Sequence, residues 1–153
     1  MKKIKLTRNK YSLVDDEDYR WMKELKWQCS SKGYAIRGIV GKTLLMARIL
    51  MEKYGYNLEG KEIDHINLNP LDNRKENLRI VTHYQNMLNV TKNKNNTSGY
   101  KGVSFHKLVG KWAAYITVNK KRLYLGWFAK PEEAGNAYKV ASQKYHGEFG
   151  RFI

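Results

Sequence analysis

The chain has 153 residues, 42% of them hydrophobic, and 29 basic against 14 acidic side chains give it a formal charge of +15. That is enough for one ordinary domain or two small ones, and no apolar run approaches the roughly 20 residues of a membrane-spanning helix. A single cysteine, Cys29, excludes an internal disulfide and a cysteine-based zinc cluster, so no structural zinc is expected.

The positive charge is spread over both ends: residues 1–60 carry 13 basic against 7 acidic side chains, 61–96 carry 6 against 4, and 97–153 carry 10 against 3. Such a chain is expected to bind a polyanion by releasing condensed counterions, which favours nucleic acid over a membrane surface or an acidic protein. Met1-Lys2-Lys3 is not followed by the apolar stretch of a signal peptide, so an intracellular, cytoplasmic location is expected.

Residues 1–60 read as a small α/β layer. Tyr11 to Val14 alternates as a short strand, and Asp15 or Asp16 opens a helix predicted to run to about Lys26, with acids first and lysines last. Residues 33–37 and 42–45 form a hairpin about Val40-Gly41, and Met46 to Tyr54 a helix that stops at Gly55. Trp27 and Tyr34 suit a core better than base stacking.

The next stretch carries the chemistry. Glu62-Ile63-Asp64-His65-Ile66-Asn67 ends a short apolar run. A polar loop with Asn69-Pro70, Asp72-Asn73 and Asn77 follows, then a second apolar run from Leu78 to Val81. Thr82 and Gln85 have capping-box spacing, which starts a helix and puts Asn86 just past its first turn. Strand, loop, strand and helix would bring Asp64, His65 and Asn86 within reach of one point. A histidine with a pKa near 6.5 can take a proton from water at neutral pH, and Asp64 and Asn86 offer hard oxygen donors suited to Mg²⁺ or Mn²⁺.

Asp64-His65, then Asp72-Asn73-Arg74 with Glu76 to Arg79, then Val81-Thr82 with Gln85-Asn86, resemble the ββα-metal motif of the HNH nucleases. The subgroup is the one that includes phage and intron-borne homing endonucleases, where the last letter is often asparagine. The resemblance implies metal binding by Asp64 and Asn86, a general base in His65, and a loop-holding role for Asn77. Arg79 would contact phosphate or pair with Glu76. Ala47-Arg48 departs from the His-Arg pair usual at that point in the subgroup.

Val90 to Ser98 reads as a polar linker, with Lys92 and Lys94 as candidate phosphate contacts. Three strands are predicted beyond it, over residues 100–106, 111–118 and 121–128. A helix opened by Pro131-Glu132-Glu133 and stopped by Gly147 follows. Alanines at helical spacing would let that helix lie close on one sheet face. The other face would carry Ser104, His106, Lys111, Tyr115, Thr117, Arg122 and Tyr124. Tyr100 to Val103, Gly110 to Ile116, Leu125 to Phe128, Pro131 to Ala134 and Ala137-Tyr138 resemble the Apetala/ethylene-response-factor DNA-binding domain. That resemblance implies duplex DNA as partner, read by these outward residues, but most of the plant domain's arginines are missing.

The expectation is an α+β chain: an N-terminal part (1–60) and a ββα-metal motif (61–91) that cut, a basic linker (92–98), and a DNA-binding sheet and helix (99–153). It would be a single-metal DNA endonuclease of homing type, from a phage or mobile element. A monomer would nick, and a double-strand break would need a dimer or a second event. The alternatives are a sequence-specific DNA-binding protein with an inactive nuclease fold and an RNA-binding regulator.

Overall fold

A computed structural model describes residues 1–90, 92–93 and 95–152. Helices and strands are mixed throughout, and the chain divides into two compact units, Met1–Asn86 and Met87–Ile153.

In the first unit β1 (Lys2–Lys5) pairs antiparallel with β2 (Tyr11–Val14). The sequence reading has no strand at β1, because three lysines surround its one buried side chain, Ile4. Helix α1 (Asp16–Met22) ends at Met22 rather than near Lys26. The Trp27 indole donates to the Met22 carbonyl at 2.9 Å, and both side chains are buried. Burying Trp27 turns the chain back before helix propensity is exhausted. Strands β3 (Gln28–Cys29), β4 (Ala35–Ile39) and β5 (Lys42–Leu45) form an antiparallel sheet in that order. Helix α2 (Met46–Lys53) buries Met46, Ala47, Leu50 and Met51, one stripe at helical spacing. Ala47, 3% exposed, belongs to this core, where it packs with Val14, Met22 and Trp27 among others.

Strands β6 (Glu62–His65) and β7 (Leu78–Val81) form an antiparallel ribbon that places Asp64 opposite Arg79 and His65 opposite Leu78. Helix α3 (His83–Leu88) follows. Its start is fixed by the reciprocal Thr82 and Gln85 bonds: Gln85 N–H donates to Thr82 Oγ1, and Thr82 N–H to Gln85 Oε1. The excursion between β6 and β7 is tied to β2: Leu13 N–H donates to the Leu71 carbonyl at 2.7 Å, and Asn73 N–H to the Leu13 carbonyl at 2.9 Å.

Asp72 anchors this excursion. It is 2% exposed, takes two 2.7 Å bonds from the Arg74 guanidinium and one of 2.8 Å from Asn67 Nδ2. The Arg74 bonds, and secondarily the Asn67 bond, hold its carboxyl below the ordinary value of 3.8. A depressed folded pKa gives stability that is present above the unfolded value and lost as pH falls through the folded one. Asp72→Asn is expected to cost about 3 kcal/mol at neutral pH, the lower end for a broken buried pair because Arg74 is partly solvated. It should also flatten the decline of the melting temperature below about pH 4. A variant with the wild-type pH slope would contradict this.

In the second unit β8 (Val103–His106), β9 (Lys111–Val118) and β10 (Lys121–Phe128) form an antiparallel sheet in the order β10-β9-β8, with helix α4 (Pro131–His146) on one face. Ala134, Tyr138 and Ala141 of α4 pack with Val103, Ala114 and Ile116. Small residues on both sides permit the close approach. The end of the expected linker is tied in here: Ser98, 9% exposed, donates to the Val103 carbonyl, and Asn96 Nδ2 to the Tyr100 carbonyl.

Candidate functional site

Successive side chains of a strand alternate in direction, so Glu62 and Asp64 share one face of β6. Asp64 is 5% exposed and meets its cross-strand partner Arg79, with Nη2 at 2.7 Å and Nε at 2.8 Å from Oδ2. The pairing of Arg79 with Glu76 is thereby corrected. Glu76 pairs with Arg74 instead, since register sets Arg79 against Asp64. Glu62 is the functional candidate that the sequence reading passed over. Its Oε2 accepts a 2.6 Å bond from Asn86 Nδ2, and its Oε1 lies 2.7 Å from His83 Nδ1. These two partners, Asn86 first, hold its carboxyl below the usual 4.5. The signal was its place two residues before Asp64, on the same strand face.

His65 lies on the alternate side of β6, 7% exposed, with its Nε2 3.2 Å from Asn73 Oδ1 and its ring 6.0 Å from that of Tyr34. Asn73 Nδ2 donates to Ser12 Oγ at 2.8 Å, which fixes the amide so that Oδ1 faces the histidine. That oxygen only accepts, so Nε2 carries the proton in the neutral ring and Nδ1 is the basic nitrogen. Burial pushes the His65 pKa below 6.5, against a smaller opposing effect of the Asn73 bond, so the ring is neutral at neutral pH. Asn77, 5% exposed, braces the adjoining loop: its Oδ1 accepts from Asn67 N–H at 2.9 Å, and its Nδ2 donates to the Asp72 carbonyl at 2.7 Å.

Among the described residues no group of three or more His, Cys, Asp and Glu side chains is arranged to hold a metal. The donors available are the Asp64 carboxylate and the Asn86 amide oxygen, the Asn86 nitrogen being committed to Glu62. Mg²⁺ is commonly held by one or two protein oxygens, with waters and substrate phosphates completing the shell. Oxygen donors of this type suit such an ion, and the Arg79 guanidinium competes for Asp64.

The outward face of the second unit's sheet carries all seven side chains expected there. Ser104, His106, Lys111, Thr117, Arg122 and Tyr124 are exposed and Tyr115 half-buried. Their rings run in a row: His106 lies 5.2 Å from Trp127, Trp127 5.9 Å from Tyr124, and Tyr124 5.4 Å from Tyr115, with the Arg122 guanidinium 3.9 Å over the Tyr115 ring. Trp127 is an addition to the expected set. A register shift between Tyr124 and Gly126 sets Trp127 opposite Ala113. One extra residue reverses the alternation, and a glycine inside a strand was its sequence signal. Lys92 Nζ donates to the Gly99 carbonyl at 2.8 Å, and Lys94 lies outside the described residues.

With the β6–β7 hairpin carrying Asp64 and His65 on opposite faces and the capped helix bringing Asn86 to Glu62, the chain belongs to the HNH endonuclease family, whose pattern matches residues 48–88. It is 34% identical over 94 residues to Protein 3.8 of Escherichia phage T7, which covers 61% of this chain and 77% of that protein. It is 28% identical over 145 residues to an uncharacterised HNH endonuclease of Acanthamoeba polyphaga mimivirus, covering 91% of this chain and 72% of that one. It is also 36% identical over 92 residues to an AP2-like ethylene-responsive transcription factor of Oryza sativa, with 54% of this chain matched but only 14% of that protein's length spanned. No solved structure matches. No helix among the described residues is long and apolar enough to cross a membrane.

Proposed function

We propose that this chain is a metal-dependent endonuclease of homing type that nicks duplex DNA, cutting with residues 1–91 and gripping the duplex with the sheet of residues 99–153. The observation that carries the reading is the 2.6 Å bond from Asn86 to Glu62, which holds the helix amide against the strand bearing Asp64. Membership of the HNH family supports nuclease chemistry on DNA.

In this reading Asp64 and Asn86 hold one Mg²⁺ or Mn²⁺, which when bound supplies charge relief to the phosphate and the departing oxygen. Glu62 orients Asn86, and Asn73 and Asn77 orient His65 and its loop. His65 Nδ1 takes a proton from water, the water oxygen bonds to phosphorus, and the bond from phosphorus to the 3′ oxygen breaks. Arg122, Lys111 and the hydroxyl and aromatic side chains of the second unit contact the duplex, and Lys92 touches backbone phosphate. A positively charged face with aromatic side chains, joined to the sequence likeness to AP2-like factors, supports this assignment. The protein acts as a monomer and therefore cuts one strand.

The second reading is a DNA-binding protein with a silent nuclease fold, favoured by the Arg79 guanidinium on the Asp64 carboxylate. Supercoiled plasmid separates the two. With Mg²⁺ or Mn²⁺ the endonuclease converts it to the nicked circle and with chelator leaves it intact, whereas a binder retards it equally in both and never nicks. Retention should weaken steeply as salt rises from 50 to 200 mM, by on the order of 10³-fold for a protein with about six phosphate contacts.

A further inference from the structure

The hairpin formed by β4 and β5 has no place in the chemistry above. Its tip is apolar and unpacked: Ile39 is 47% and Val40 100% exposed. No atom lies within 4 Å of where a Cβ would stand at Gly38 or Gly41. Gly41, at φ +73°, allows the tight turn between Ile39 and its cross-strand partner Lys42. Arg37 shares the face of Ile39, and from Leu25 to Met51 the chain has five basic residues and no acidic one. The root of the hairpin stands at the candidate base, where the Tyr34 ring lies 6.0 Å from that of His65. Gly33 lies against Pro70 of the excursion, a Cβ there falling 3.6 Å from the proline ring.

We infer that this hairpin is a wedge for duplex DNA, with Ile39 and Val40 entering a groove and parting a base step while Arg37 and Lys42 contact the flanking phosphates. Aliphatic side chains inserted between base pairs are a known means of kinking a duplex. Two aliphatic residues between cations are too few for a membrane or a protein groove, which need a wider apolar patch. Geometry gives the register. Six residues from Tyr34 to Val40, at about 3.3 Å each, span about 20 Å. At 3.4 Å per step along a strand, that is about six base pairs from the phosphate at His65. This distance rests on the nuclease reading; the wedge itself does not.

The test uses the full chain and duplexes with 2-aminopurine at successive positions on either side of the mapped nick, in chelator so that the strands stay intact. A several-fold rise in fluorescence is expected at one or two adjacent positions about six base pairs from the nick. The rise should vanish in the double variant Ile39→Ser/Val40→Ser. Both positions are exposed, so the variant should melt at the wild-type temperature and still retard DNA. The inference is overturned if no position brightens with wild type or if the rise survives in the variant. It is equally overturned if the variant keeps its DNA signal and loses sedimentation with phosphatidylserine vesicles. If no metal supports nicking, the nuclease reading fails alone. The fluorescence scan is then centred on the footprinted segment, where a rise abolished by the double variant upholds the wedge and its absence rejects it.

Discussion

His65→Ala is expected to lower the rate of plasmid nicking by roughly 10² to 10⁴-fold, the range for loss of a positioned general base, with little change in gel retardation. The pH profile gives a sharper signature than the loss itself. The active form is the neutral ring, and burial holds its pKa below 6.5. Protonation on acidification removes the base, so the rate should fall on acidification with its midpoint below 6.5. Asn73→Asp would set a carboxylate where an amide oxygen now accepts from Nε2 at 3.2 Å. An adjacent negative charge favours the imidazolium, so the acid limb should move to higher pH and activity should be recovered in more alkaline buffer. A His65→Ala protein that nicks within a few-fold of wild type would remove His65 from the mechanism. An unmoved acid limb in Asn73→Asp would remove Asn73 from the orientation of the ring.

Gly102→Ala should unfold the second unit. A Cβ at this position would stand 2.3 Å from the Tyr138 ring and 2.4 Å from the Tyr115 carbonyl oxygen, and the backbone is at φ +72°. Tyr138 is 5% exposed within the sheet-and-helix core, and the Tyr115 N–H donates to the Gly102 carbonyl at 2.9 Å, so neither neighbour has room to give. Left-handed backbone strain and overpacking together amount to about 3–5 kcal/mol, a large share of the stability of so small a unit. Hydrogen exchange should accelerate across β8, β9, β10 and α4 and stay protected in Met1–Asn86, and gel retardation should weaken. A variant that melts within about a degree of wild type would refute this packing account, since even 1 kcal/mol shifts a small domain by about 4–8 °C.

The sequence by itself determined whatever is decided within a few residues. The Thr82–Gln85 reciprocal bonds stand as the spacing implies, and Pro131 with two following acids opens α4. The Val40-Gly41 turn placed the β4–β5 hairpin, and period-two alternation placed strands β9 and β10. It also laid out the elements that carry Asp64, His65, Asn77 and Asn86. Tertiary structure alone decided which side chains meet. Arg79 has two acids within reach on paper, and only the β6–β7 register gives it to Asp64. Asn73 stands in the motif without a role until Ser12, distant in sequence, fixes its amide toward His65. Trp27 ends α1 early, and one bulge turns Trp127 outward. Caps and alternation follow from local backbone geometry, whereas pairings across strands and the burial of an aromatic ring depend on segments whose separation in sequence carries no record of their distance in space.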